Sequence, residues 1–114
     1  MKLRDFASQL YIDPKKLTAY ALNVNHPKGR HKARVFQVML GYTSENHEGL
    51  LQQIEASALD AEATIQKVDQ YGQHLRVDLI VKGISDQEAT VRIGWLVVPN
   101  SDTASLSTIY VIGE

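Results

Sequence analysis

Cysteine is absent from this 114-residue chain. That excludes a disulfide framework, a thiolate nucleophile and any zinc or iron–sulfur centre built on sulfur, and it fits a reducing compartment. With only three prolines and seven glycines, no linker or low-complexity tract divides the chain, and residues 1–114 read as one domain. Long hydrophobic runs are missing too: the longest, Trp95–Pro99, falls far short of a bilayer. The opening stretch MKLRDFASQLYID is broken by Arg4 and Asp5 before any apolar segment forms, which argues against a secretory leader. A cytoplasmic protein with no membrane association is expected.

Several chemistries also lack their signatures. There is no G-x-x-x-x-G-K-[ST] loop for nucleotide phosphates and no H-E-x-x-H helix, and none of His26, His31, His47 and His74 is spaced i, i+4 from another. No metal and no cofactor are expected. Asp78 and Glu88 read as strand and turn acids, not as a carboxylate pair for glycoside hydrolysis.

What charge there is sits unevenly. The net charge is −1, yet residues 26–34 hold four Lys/Arg and no acid, leaving 8 basic and 13 acidic residues, or −5, elsewhere. Concentrated positive charge suits steering one anionic group more than coating a polymer.

Hydrophobic spacing divides the chain into a helical half, residues 1–60, and a strand-like half, residues 61–114. Asp13-Pro14 is a helix start, and Pro14–Leu22 places Leu17, Tyr20 and Ala21 on one side before Asn23 stops it. A second helix, Arg30–Leu40, turns Ala33, Phe36, Met39 and Leu40 inward, with Gly41 as its left-handed end. A third runs to about Ala58 from a cap at Ser44 or Asn46. Alternation then predicts strands over His74–Val81, Thr90–Val98 and Ser105–Ile112, with Ala63–Val68 a weaker fourth. The expected fold is α+β, three N-terminal helices followed by a three- to four-stranded antiparallel sheet.

The basic run NHPKGRHKARVF enters the second helix at its N-terminus, where the helix dipole disfavours cations. Lys28, Gly29, Arg30 and Arg34, with the free amides of that first turn, form an expected anion-binding site of phosphate size. Taken singly, each cation reads more simply as solvated surface, paired with acids such as Glu45 or Asp60. Arg92 alternates out of step with Val91 and Ile93, so it lies on the sheet face opposite them. In the last strand, Thr108 and Tyr110 are read as sharing a face with Leu106 and Ile112, either as ordinary β-formers or as hydroxyls aimed into a cleft. Trp95 and Tyr71 read as core and turn packing.

These residues carry a resemblance. Leu17-x-x-Tyr20-x-Leu22-Asn23, His26-Pro27-x-Gly29-x-x-Lys32-Ala33-Arg34-x-Phe36 and Leu40-Gly41 resemble a bacterial domain-of-unknown-function family with the signature H-P-x-G-x-x-K-A-x-x-F. Tyr71-Gly72-x-x-x-x-Val77-Asp78, Val91-Arg92-x-x-Trp95 and Leu106-x-Thr108-x-Tyr110 agree with it, so the likeness spans about residues 17–112. Its members are similar to small proteins near phage-like and toxin-linked genes, and it implies no established activity. The chain departs from the family pattern in having Ala104-Ser105 where a Pro-Arg pair often precedes the Leu-x-Thr block. The layout also resembles the barnase–EndoU–colicin–RelE class of small ribonucleases, a likeness of fold only.

Three functions fit these readings. In the first, a metal-independent, toxin-like ribonuclease, His26 or His31 is the general acid or base. Lys32, Arg34 and Arg92 stabilise charge on the phosphate, and Thr108 or Tyr110 positions it. In the second, the same basic turn belongs to a non-catalytic module that binds RNA or an acidic protein partner. In the third, an immunity or accessory protein, the acidic remainder faces a basic toxin. His26 or His31 within about 8 Å of Arg92 and of a strand hydroxyl, in a concave site, would favour catalysis; basic residues splayed over a flat face would favour binding, and one contiguous acidic patch the immunity or accessory role.

Overall fold

Alternation builds the sheet. Leu75, Val77, Leu79 and Val81 turn to one face of β3 (Gly72–Lys82), and Val91, Ile93, Trp95 and Val97 to the same face of β4 (Glu88–Val97). The two strands pair antiparallel from Gln73↔Val97 to Lys82↔Glu88. On either side, β2 (Ala63–Asp69) pairs antiparallel with β3, and β5 (Thr103–Ile112) antiparallel with β4. The computed structural model describes residues 1–112.

The architecture is α+β, but three N-terminal helices ahead of a three- to four-stranded antiparallel sheet are not what forms. The sheet has five strands and is mixed: an N-terminal strand, β1 (Gln9–Tyr11), lies parallel to β5, giving the order β1-β5-β4-β3-β2. Three residues cannot display an alternating pattern, so this strand leaves no periodic signal. Among the described residues two α-helices form, α1 (Arg30–Leu40) and α2 (Glu48–Ser57), with short 3₁₀ turns at Leu3–Asp5 and Ala58–Asp60.

Where a first α-helix is expected, the chain makes a π-helical turn, Lys16–Ala21. Asp13 still starts it, its carboxylate accepting the Lys15 amide. The Leu22 amide then bonds the Leu17 carbonyl, 2.8 Å away and five residues back. That wider spacing stacks Leu17 and Leu22 on the buried side with Ala21, and Tyr20 turns out, about half exposed at 48%. The two candidate caps of the next helix also act elsewhere. The Ser44 hydroxyl donates to the Thr18 and Leu22 carbonyls, pinning the π-helical turn, and Asn46 folds back on the Thr43 amide and Gly41 carbonyl. Gly41 ends α1 at φ +79°, the left-handed stop its position implies.

One sheet face is covered: Phe36 and Leu40 of α1, Leu50 and Ile54 of α2, and Leu17 and Leu22 pack on the apolar rows of β3, β4 and β5. The other face carries His74, Arg76, Asp78, Arg92, Gly94, Thr108 and Tyr110, and among the described residues no helix layer covers it. A β-bulge in β5 decides who stands there. Gly94 pairs with Thr108 but Trp95 pairs with Leu106, leaving Ser107 as the extra residue. Alternation therefore reverses at Ser107. Leu106 and Ile109 both face the core, while Thr108 and Tyr110 lie on the open face with Arg92, not with Leu106 as period two alone implies.

Gly72 tests the β2–β3 hairpin. Its φ is +132°, and a Cβ there would overlap the Val97 carbonyl. Gly72→Ala is expected to lose about 2–4 kcal/mol, read from the urea midpoint, because strain and clash act together.

Candidate functional site

The basic turn is built by His26. Its Nδ1 accepts the Lys28 and Gly29 amides at 3.1 and 3.0 Å, and its carbonyl accepts the Arg30 amide at 3.0 Å. Three amides of this turn, those of Lys28, Gly29 and Arg30, are thus held by the imidazole and its own backbone. The ring rests on Tyr20, with centroids 4.4 Å apart. Gly29 lets the turn close on the same residue, since a Cβ would lie 3.1 Å from the Tyr20 carbonyl. His-Pro-x-Gly is therefore first a turn motif: histidine caps, proline sets φ, and glycine permits the approach. With Nδ1 accepting, the neutral ring carries its proton on Nε2.

Around this turn the cations stand apart from acids. Lys28, Arg30, His31, Lys32 and Arg34 are exposed, and none lies within 4.0 Å of a carboxylate among the described residues. Asp60, a partner considered for them, pairs with Arg4. Lys15 and Lys16 on the π-helical turn are unpaired in the same sense.

Lys32 links the turn to the sheet. Its ammonium stands 4.3 Å over the Tyr110 ring. Tyr110 is the cross-strand neighbour of Arg92, which is in turn opposite Asp78. Arg92 donates to both Asp78 oxygens, at 3.0 and 3.1 Å. The guanidinium holds the Asp78 carboxyl below the usual range against a smaller opposing effect of burial. Because that value is lowered on folding, the pair's contribution is present above the ordinary aspartate value and lost as pH falls through the folded one. Between about pH 5 and pH 2 the wild type is therefore expected to lose more stability than Asp78→Asn, measured as urea midpoints.

β1 pairs only with Thr103–Ser105 of β5. From Leu106 onward the outer edge of β5 has no strand neighbour among the described residues, and the π-helical turn lies across from it. Between them runs a groove of about 420 Å³, walled by Asp13, Lys15, Lys16 and Tyr20, by Lys32 of α1 and by Leu106–Tyr110. A smaller hollow of about 240 Å³ opens on the uncovered sheet face above Gly94, where Arg76, Arg92, Thr108 and Tyr110 converge. Tyr110 borders both.

Of the residues expected to act, Lys32, Thr108 and Tyr110 line the groove, and Arg92 stands beside Tyr110. His26 is one ring removed, behind Tyr20. His31, Lys28, Arg30 and Arg34 lie on the outer surface of the turn and α1. The sequence reading missed Lys15, Lys16 and the free edge of β5, because only the unexpected β1 and π-helical turn bring them together. It also missed the His74–Asp69 pair, with Nε2 at 3.0 Å from the carboxylate, across the β2–β3 hairpin. Lys67↔His74 register, invisible without the hairpin, creates it. Among the described residues no three His, Asp or Glu side chains assemble to hold a metal, and no helix is long and apolar enough to cross a membrane.

No curated protein and no solved structure matches the chain. A domain of unknown function, DUF6883, matches residues 2–113. The chain belongs to the DUF6883 family, as that match covers all but its first and last residues.

Proposed function

We propose that this domain binds RNA and holds it without cutting it, through the basic turn and the groove beside it. The observation that carries the reading is a set of six exposed Lys/Arg with no carboxylate partner among the described residues: Lys15, Lys16 and Lys32 line a groove containing two tyrosines, and Lys28, Arg30 and Arg34 lie on the adjoining basic turn and α1. Six is half of the twelve Lys/Arg in the chain, so a protein of net charge −1 carries half of its cations on the basic turn, α1 and the wall of the neighbouring groove. Phosphates compensate such a surface, and neighbouring aromatic rings suit bases.

Cleavage is the less favoured reading because neither His26 nor His31 lines the groove or the hollow beside Arg92, and His26 is poorly placed to act as a base. A general base must offer a free lone pair, and Nδ1 spends its lone pair on two amides while Nε2 carries the proton. Shifting the proton to Nδ1 would break both bonds.

Incubation of the purified protein with total tRNA, with and without EDTA, separates the two. The expected result is a retarded complex and intact RNA. Cleavage that survives EDTA would overturn the binding-only reading, and absence of any complex would overturn RNA as the partner.

A further inference from the structure

We propose that the groove between the π-helical turn and β5 takes a single unpaired nucleobase, so that the domain selects single-stranded RNA. This rests on the RNA reading above and adds the part of the RNA that is recognised.

Size and wall chemistry point to a base. A groove of about 420 Å³ is of the size that encloses a small planar ligand. Its walls combine ring and aliphatic surface from Tyr20, Tyr110, Leu106 and Ile109, which suits a flat π-system. Hydrogen bonding comes from the edge of β5. The other side of β5 is taken by β4, but on its outer side no strand pairs with it beyond Ser105, and no turn or loop backbone bond reaches Leu106–Tyr110 among the described residues. The outward N–H and C=O groups there are a ready set of donors and acceptors for a base edge. Lys15, Lys16 and Lys32 stand at the rim, against one acid, Asp13, where the flanking phosphates would run.

The same edge is poorly suited to an extended peptide. Strand addition needs a regular repeat of backbone groups, and the bulge at Ser107 interrupts it in the middle of the free stretch. A duplex fits no better, since its bases are stacked and cannot enter a pocket.

The test uses wild-type protein in two measurements. Fluorescence anisotropy compares a labelled 12-nucleotide oligouridylate with a 12-base-pair RNA duplex; the single strand is expected to bind at least about tenfold more tightly, although the duplex carries more charge. Methyl NMR then follows Leu106 and Ile109 during titration with uridine monophosphate or with ribose 5-phosphate. Shifts with the nucleotide and none with the sugar phosphate are expected. Equal binding of strand and duplex with unmoved methyls overturns the base pocket and leaves RNA binding standing. Binding of neither RNA overturns both. Shifts of the same methyls by a glutamate-rich peptide, in place of the nucleotide, overturn the base pocket in favour of a protein partner.

Discussion

Trp95→Ala is expected to remove about 3–5 kcal/mol of folding stability, read by urea denaturation. That is a large share of the ~5–15 kcal/mol a domain of this kind possesses. Trp95 is fully buried on β4, the middle strand of the five, with Leu75 of β3 and Leu106 of β5 as its cross-strand neighbours. Truncation leaves a hole bounded on both sides by ladder-bonded backbone, which cannot collapse into it. The indole N–H makes no hydrogen bond among the described residues although it is buried. Trp95→Phe therefore discards a donor that has no partner, and its loss is expected to be less than half that of the alanine variant. A larger loss for phenylalanine would mean that the N–H has a partner in solution.

The strands with Leu75 and Trp95 were legible in the sequence because one face is buried and the other is not, and period two records that difference directly. The helix over Arg30–Leu40 was legible for the analogous reason, with Ala33, Phe36 and Leu40 buried. What escaped was whatever depends on residues far apart in sequence or on a single irregular step. β1 exists only because Gln9–Tyr11 meets Thr103–Ser105, nearly the whole chain away. The bulge at Ser107 shifts Thr108 and Tyr110 by one face, and nothing in Leu-Ser-Thr-Ile-Tyr reveals where an extra residue will be accommodated. Gly94 offers the nearest hint: a Cβ there would collide with the Thr108 hydroxyl, so the side chain of Thr108 occupies the glycine's space. The π-helical turn, in the same way, needs Ser44 to hold its carbonyls.

The motif His-Pro-x-Gly gave no sign in the sequence of its backbone arrangement. An anion was the obvious answer to cations crowded at a helix N-terminus, and the structure adds that the Lys28 and Gly29 amides are taken by the His26 ring. The cations around the turn are exposed, and Lys32 leans on Tyr110. Pro27 and Gly29 serve the turn, and the lysines and arginines around it take no part in its hydrogen bonding through their side chains among the described residues.

The strongest functional consequence is a salt dependence. If about five of the six Lys/Arg of the basic turn and groove meet phosphates, the logarithm of affinity for single-stranded RNA falls with a slope near −3.5 against the logarithm of salt, at about 0.7 per contact. Raising monovalent salt from about 50 to about 200 mM is then expected to weaken binding roughly a hundredfold. The triple variant Lys15→Ala, Lys16→Ala, Lys32→Ala removes three contacts at the groove, so its slope is expected to be shallower by about 2, with affinity at ~50 mM salt lower by about a hundred- to a thousandfold. Stability is expected to change little, because none of the three is ion-paired among the described residues and only Lys32 has a ring contact to lose. Lys67→Ala is the control. Lys67 lies on β2, at the opposite edge of the sheet from the groove, with its ammonium 3.7 Å from Asp69. It carries the same charge as the groove lysines, so a slope unchanged by Lys67→Ala and reduced by the triple variant would tie the counterions released to this surface. Equal reductions would instead mean that RNA responds to total charge, and the groove would lose its claim as the place where binding occurs.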